Sequence, residues 1–225
     1  MWWPCESPEL EQQRSVVRHR EQLMRDRRRA EARGRALALS QGILAPVGWW
    51  RPAAWEQFRP QLPEWLSGQL AYWQAQALAI DGAEGQVRRQ LEQRVTRELP
   101  LGVGALSWMT LQLELRGWER FQNRRQIGSY TGLCPGIHSS NGRGREGSIN
   151  RCGNPVVRAT LIEMVWRLVR WQPDYPPIQK LRRCTSRRAK RRLAVAAARR
   201  LAIDLWRLAT GRATAQAVGL QLQSP

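Results

Sequence analysis

Between Arg124 and Arg158 the chain reads RRQIGSYTGLCPGIHSSNGRGREGSINRCGNPVVR, which concentrates side chains suited to chemistry on a phosphate. Arg143, Arg145, Arg151 and Arg158 stand near two adjacent hydroxyls, Ser139 and Ser140, in a glycine-rich setting, and Arg124 and Arg125 lead into it. Guanidinium forks and the N–H groups of a glycine backbone can both be aimed at phosphate oxygens. A short apolar segment (Ile127, Tyr130, Leu133) precedes the hydroxyls, and Asn154-Pro155 closes the stretch as an N-cap followed by proline at the first helical position. A loop of about twenty residues is predicted between them, a length that compact domains reserve for functional or disordered segments. A disordered basic loop is the competing reading.

The charge around this stretch is uneven. Residues 1–115 hold 15 Arg against 13 acids, whereas residues 116–225 hold 20 Arg and 2 Lys against 5 acids, so the net +19 divides into +2 and +17. A field of that sign over half a chain favours a polyanionic partner, nucleic acid ahead of an anionic membrane. The preference for arginine over lysine suits bidentate phosphate binding, and a GC-rich coding sequence would produce it equally. The four cysteines form no C-x-x-C pair and only His19 and His138 accompany them, so no metal site is expected. No apolar run reaches the roughly 18 residues of a membrane span. The N-terminus lacks the order of a signal peptide, and a cytoplasmic location with no membrane association is expected.

The elements that must position the basic stretch read as helices, with no β-pattern of any length. Ser7-Pro8-Glu9 starts a helix whose apolar residues form two seven-residue rows, Val16, Leu23, Ala30, Leu37, Leu44 and Leu10, Val17, Met24. A narrow seam among mixed charges reads as one arm of a coiled coil, with an ordinary bundle helix as the alternative. Gly34 weakens its middle. Residues 42–63 form a Trp/Pro-rich turn in which Trp49, Trp50, Trp55 and Phe58 plug a helix junction or, alternatively, offer a base-stacking platform. A second helix over 63–98, kinked or interrupted at Gly82 and Gly85, completes an antiparallel hairpin. The turn LPLGVG (99–104) then leads into another helix. Gly102 and Gly104 either bring backbone N–H groups to a DNA phosphate, as in a helix-hairpin-helix, or simply join two core helices. Helices follow over 155–170, with a broad buried face including Val156, Ala159, Leu161, Ile162, Val165, Leu168 and Val169, and over 186–210. The last presents Arg187, Arg188, Lys190, Arg191, Arg192, Arg199 and Arg200 above an apolar face of Leu193, Ala197, Leu201, Leu205 and Leu208, as a phosphate-facing or merely solvated surface.

This order of motifs resembles the C-terminal part of insertion-sequence transposases that join a RuvC-like domain to a serine-bearing domain, a class that includes RNA-guided insertion elements and Piv-type invertases. VVRH (16–19) is similar to the start of that family's coiled-coil region. LPLGVG corresponds to its P-G-I-G turn, with Leu101 in place of the leading glycine. RFQNRRQIGSYTGLCP (120–135) resembles its run ending in G-L-x-P, and SSNGR (139–143) stands where the family has S-G-G or S-G-S. GSINRCGNPVVR (147–158) resembles S-K-x-G-N-x-x-L-R. The resemblance implies that Ser140, with Ser139 as the neighbouring alternative, attacks a DNA phosphate and becomes linked to the strand, while Ser148 is structural. Asn141 replaces the family's glycine after the serine. The resemblance also implies a RuvC-like domain whose four carboxylates bind divalent metal, and no strand ending in aspartate opens this sequence. The expectation is therefore a mostly α protein with a coiled-coil helical hairpin over 1–98 and a basic, serine-bearing C-terminal transposase domain over 99–225. It would bind DNA, with or without a guide RNA. It would oligomerise through the coiled coil and bind no cofactor of its own, Mg2+ being expected only with a RuvC-like domain supplied in trans. As an N-terminally truncated chain it would be inactive alone. A non-enzymatic helical nucleic-acid-binding module is the alternative; a membrane-surface protein is disfavoured because the basic helix carries few aromatic anchors.

Overall fold

The computed structural model describes residues 8–140, 143–150 and 152–223, and the side chains of these apart from 136–148. The chain divides into two compact units, Met1–Leu91 and Glu92–Pro225, and the architecture is mostly α.

The first unit is built on two long helices, α1 (Pro8–Ser40) and α3 (Glu64–Glu92). They run antiparallel: Arg20 pairs with Glu84 at 2.6 Å, Arg27 with Asp81 at 3.3 Å, and the Arg33 guanidinium lies over the Trp73 ring at 5.2 Å. Between them lie α2 (Pro52–Phe58) and one 3-10 turn (Arg59–Gln61). The tryptophan cluster is core: Trp49, Trp50, Trp55 and Phe58 are buried with Leu66, Leu70 and Ala77. That burial leaves no open stacking platform on these four rings.

Gly34, expected to weaken α1, instead makes the junction. The Trp49 ring lies where a Gly34 Cβ would be, and its Nε1 donates to the Glu31 carbonyl at 3.2 Å. The helix runs through unbroken because this contact replaces the packing that a side chain would have given. Gly82 and Gly85 likewise leave α3 continuous, since both keep helical backbone on a helix fixed by its apolar face. The seven-residue row ends early. Leu44 lies beyond the helix terminus at Ser40 and is exposed, while Val17 and Ala30 are buried.

In the second unit α4 (Ala105–Glu114), α5 (Arg124–Tyr130), α6 (Pro155–Trp171), α7 (Pro176–Arg183), α8 (Arg187–Ala209) and α9 (Ala215–Val218) surround one core. α6 packs on α4, α7 and α8, and α8 also packs on α5 and α7. Proline at N1 and the Asn154 side chain, whose Oδ1 accepts from the N–H groups of Val156 at 2.8 Å and Val157 at 3.4 Å, start α6 where the sequence predicts. Its buried face is Val157, Leu161, Met164, Val165 and Leu168. Ala159, assigned to that face from sequence, is exposed, because a helix buries a stripe rather than every apolar residue.

The expected long loop is replaced by an antiparallel hairpin of β1 (Pro135–Ser140) and β2 (Arg143–Ile149), with an irregularity between Pro135 and Ile137. The strands lack apolar alternation, so the periodic signal for them is absent. The dipeptide between them, Asn141-Gly142, is the sequence cue that favours a two-residue connection.

Candidate nucleic-acid interface and serine-bearing hairpin

The hairpin is rooted in a close backbone crossing. Gly132 (φ +66°) and Gly153 face each other so tightly that a Cβ on Gly153 would meet the backbone of Tyr130, Thr131 and Gly132. The Asn150 N–H donates to the Cys134 carbonyl at 2.9 Å, and the Thr131 hydroxyl, buried, donates to the Gly128 carbonyl at 2.8 Å while accepting from the Leu133 N–H at 3.2 Å. Asn154 closes the root. Its Nδ2 donates to the buried Glu114 carboxylate at the end of α4, so one asparagine ties α4 to α6 and caps α6. Sequence reasoning passed over Glu114, whose surroundings in the chain (LQLEL) are those of any core helix.

Ser139 and Ser140 are the last two residues of β1, with Gly144 and Arg143 as their register partners; His138 pairs with Arg145. Adjacent strand positions fall on opposite faces of a ribbon, so the two serine positions are not equivalent. The side chains of Ser139, Ser140, Arg143 and Arg145, and Arg151 altogether, lie outside the described residues. Arg124 and Arg125 are exposed at the start of α5, which Asn123 caps by accepting from the N–H groups of Arg125 at 3.0 Å and Gln126 at 3.1 Å. Arg158 turns inward: its Nη1 donates to the Gly153 carbonyl at 2.8 Å, beside Gly132. Its guanidinium braces the hairpin root.

Gly102 and Gly104 lie in a turn stitched to the end of the chain. The Leu101 N–H donates to the Gln221 carbonyl at 2.8 Å, the Gln223 N–H to Leu99 at 2.9 Å, and the Gln172 side chain bonds both Leu101 and Gln221. Gly102 has φ +84° and rests against Leu168 and Trp171, while Gly104 is the N-cap of α4 beside Arg167. Positive φ and close packing on α6 account for Gly102, and the turn thereby joins core elements.

The two units handle arginine differently. In the first, Arg14 and Arg18 share Glu11, Arg29 pairs with Asp26, and Arg35 with Glu31. In the second, Arg187, Arg188, Arg191 and Arg192 are exposed on the first turns of α8 without an acidic partner among the described residues, and no acid occurs between Asp174 and Asp204. Two of the basic residues serve the fold. Arg199 lies against Gly128 of α5, and Arg200 Nε donates to Asp204 Oδ2 at 2.8 Å. Asp204 is fully buried and also accepts from the Tyr175 hydroxyl at 2.8 Å. Burial first, then the Asp204 charge, pushes the Tyr175 phenol above its ordinary range, and the hydrogen bond to Asp204 raises Arg200. Among the described residues no three His, Cys, Asp or Glu side chains come together as metal ligands, so these donors do not fit a divalent cation. Likewise no described helix is long and apolar enough to cross a membrane.

Residues 97–177, from the glycine turn through the hairpin and α6, match the family described as Transposase IS116/IS110/IS902 family. The chain is also similar to a protein of Sinorhizobium fredii (strain NBRC 101917 / NGR234) named "Putative transposase y4rJ", 27% identical over 235 residues. That alignment takes in 89% of this chain and 58% of the relative, so the chain spans a little over half the relative's length. Both similarities support a transposase-related function.

Proposed function

We propose that this chain is the nucleic-acid-binding, serine-bearing region of a transposase that works by covalent strand transfer. The observation that carries the reading is the hairpin bearing Ser139 and Ser140, rooted on a helical unit whose first α8 turns expose Arg187, Arg188, Arg191 and Arg192 without an acidic partner among the described residues. The same hairpin lies inside the segment that matches the transposase family.

In this reading the Ser140 hydroxyl oxygen bonds to phosphorus of a DNA phosphodiester as the bond to one sugar oxygen breaks. The serine proton passes to a base and the departing sugar oxygen is protonated. The strand is left joined to Ser140 through a phosphodiester, and attack by a second strand's hydroxyl releases the serine. Each step exchanges one ester for another, so no energy input is required. Arginines near the hairpin offset the charge that builds on the phosphoryl oxygens. In this reading Mg2+ and the carboxylates that hold it are supplied by a RuvC-like domain, and a guide RNA is compatible with the basic surface.

The test is recombination in the presence of a RuvC-like partner. Ser140→Ala is expected to abolish both strand joining and the covalent protein–DNA adduct while DNA affinity changes less than about twofold, and Ser139→Ala is expected to leave the adduct. Full recombination by Ser140→Ala would leave a non-enzymatic nucleic-acid-binding module as the correct description.

A further inference from the structure

A hollow of about 330 Å³ lies between the start of α7 and the middle of α8, and the serine chemistry makes no use of it. α8 contributes Leu193, Ala196, Ala197, Arg200 and Asp204, whose three- and four-residue spacings put them on one helix face. α7 contributes Pro176, Pro177 and Lys180. The walls are therefore aliphatic, and the two exposed cations, Lys180 and Arg200, come from different helices. Asp204 is the one acid among the described residues that line the hollow, and it is fully buried.

Arg200 is already fixed in place. Its Nε donates to Asp204 Oδ2 at 2.8 Å, and the Tyr175 hydroxyl donates to the same oxygen at 2.8 Å. Arg207 Nη1 lies 3.8 Å from Asp204 Oδ1, so two arginines share the acid's charge and the hollow stays net positive. With Nε taken, the Nη groups of Arg200 have no acceptor among the described residues, and half of the side chain is open to solvent. An ordered guanidinium with N–H groups to spare suits a phosphate, and its ordering lowers the entropy lost when a ligand arrives.

Size narrows the ligand. The hollow is at the lower end of the range of about 300–1,000 Å³ that small ligands occupy, room for a single nucleotide and not for a stacked run of them. Aliphatic walls suit the face of a base, and a base reaches them only when it is out of the duplex stack. We infer that this hollow seats one unpaired nucleotide of a bound strand, with its phosphate on Arg200 and Lys180 and its base against Pro176, Pro177 and Leu193. A strand end or an extruded base offers such a nucleotide. The inference rests on the reading of the second unit as nucleic-acid-binding.

The test compares the full chain with A196W and K180A. Ala196 is exposed, so tryptophan there is expected to fill the hollow while leaving the Asp204 network and the net charge as they are. The ligands are a labelled blunt duplex, the same duplex with one strand extended by an unpaired nucleotide at both ends, and that extension made abasic. Wild type is expected to prefer the extended duplex to the other two by about tenfold. A196W should bring that preference within about twofold while binding the blunt duplex as wild type does, and K180A should cut it to about threefold. No preference in wild type, or one that A196W leaves intact, overturns the inference and leaves the nucleic-acid reading standing. If A196W weakens all three ligands alike, K180A decides, and an undiminished preference in K180A overturns the inference. If wild type binds none of the ligands, the nucleic-acid reading fails, and this one with it.

Discussion

Residues whose identity looks like a weakness in the chain become requirements once their neighbours are known. Gly34 in the middle of α1 would ordinarily cost a helix about 1 kcal/mol relative to alanine. Here the Trp49 ring occupies the space of the missing Cβ. Gly34→Ala is therefore expected to destabilise the chain by about 1–3 kcal/mol in chemical denaturation, the range for overpacking a core. Gly82, with nothing within 4 Å of its Cβ position, is the internal contrast. Gly82→Ala should stabilise by about 0.5–1 kcal/mol. Equal effects at the two sites would contradict the packing described for Trp49. The difference was not legible in the sequence, because Trp49 reaches Gly34 across a turn.

At the scale of elements, the helices were readable and the hairpin was not. Caps and prolines announce α6 and α8: Asn154-Pro155 opens one, and Ser186, whose hydroxyl accepts from the Ala189 N–H at 3.5 Å, opens the other. The strands Pro135–Ser140 and Arg143–Ile149 carry glycine, serine and arginine in place of alternating apolar residues, so only Asn141-Gly142 hints at them. The α6 face was misjudged for a related reason. A broad apolar face gives no sequence signal for which of its residues, Ala159 among them, stay in solvent, and packing against α4, α7 and α8 makes that choice. The basic turns of α8 lend themselves to a quantitative test. Replacing Arg187, Arg188, Arg191 and Arg192 together by alanine should weaken duplex binding and flatten its salt dependence by about 0.9 in log–log slope for each phosphate contact removed. An unchanged slope would make α8 a merely solvated face.

Across the whole molecule, charge and folding chemistry are divided between two compact units. The first pairs many of its arginines with acids along α1 and between α1 and α3; the second leaves most of its described cations to solvent. Binding by the full chain should accordingly lose about a thousandfold or more between 50 and 200 mM salt if six or more phosphates are contacted. A flat response in a filter-binding titration would remove the electrostatic basis of the proposed function. What the sequence determined by itself was the helical class, the position of the charge and the transposase-like order of motifs, because caps, periodicity and composition are local properties. Only the tertiary structure decided that the Arg124–Arg158 stretch contains a hairpin and that Arg158 and Arg199 face inward. Those outcomes depend on which segments meet, and a close crossing such as Gly132 on Gly153 is a property of the packed chain.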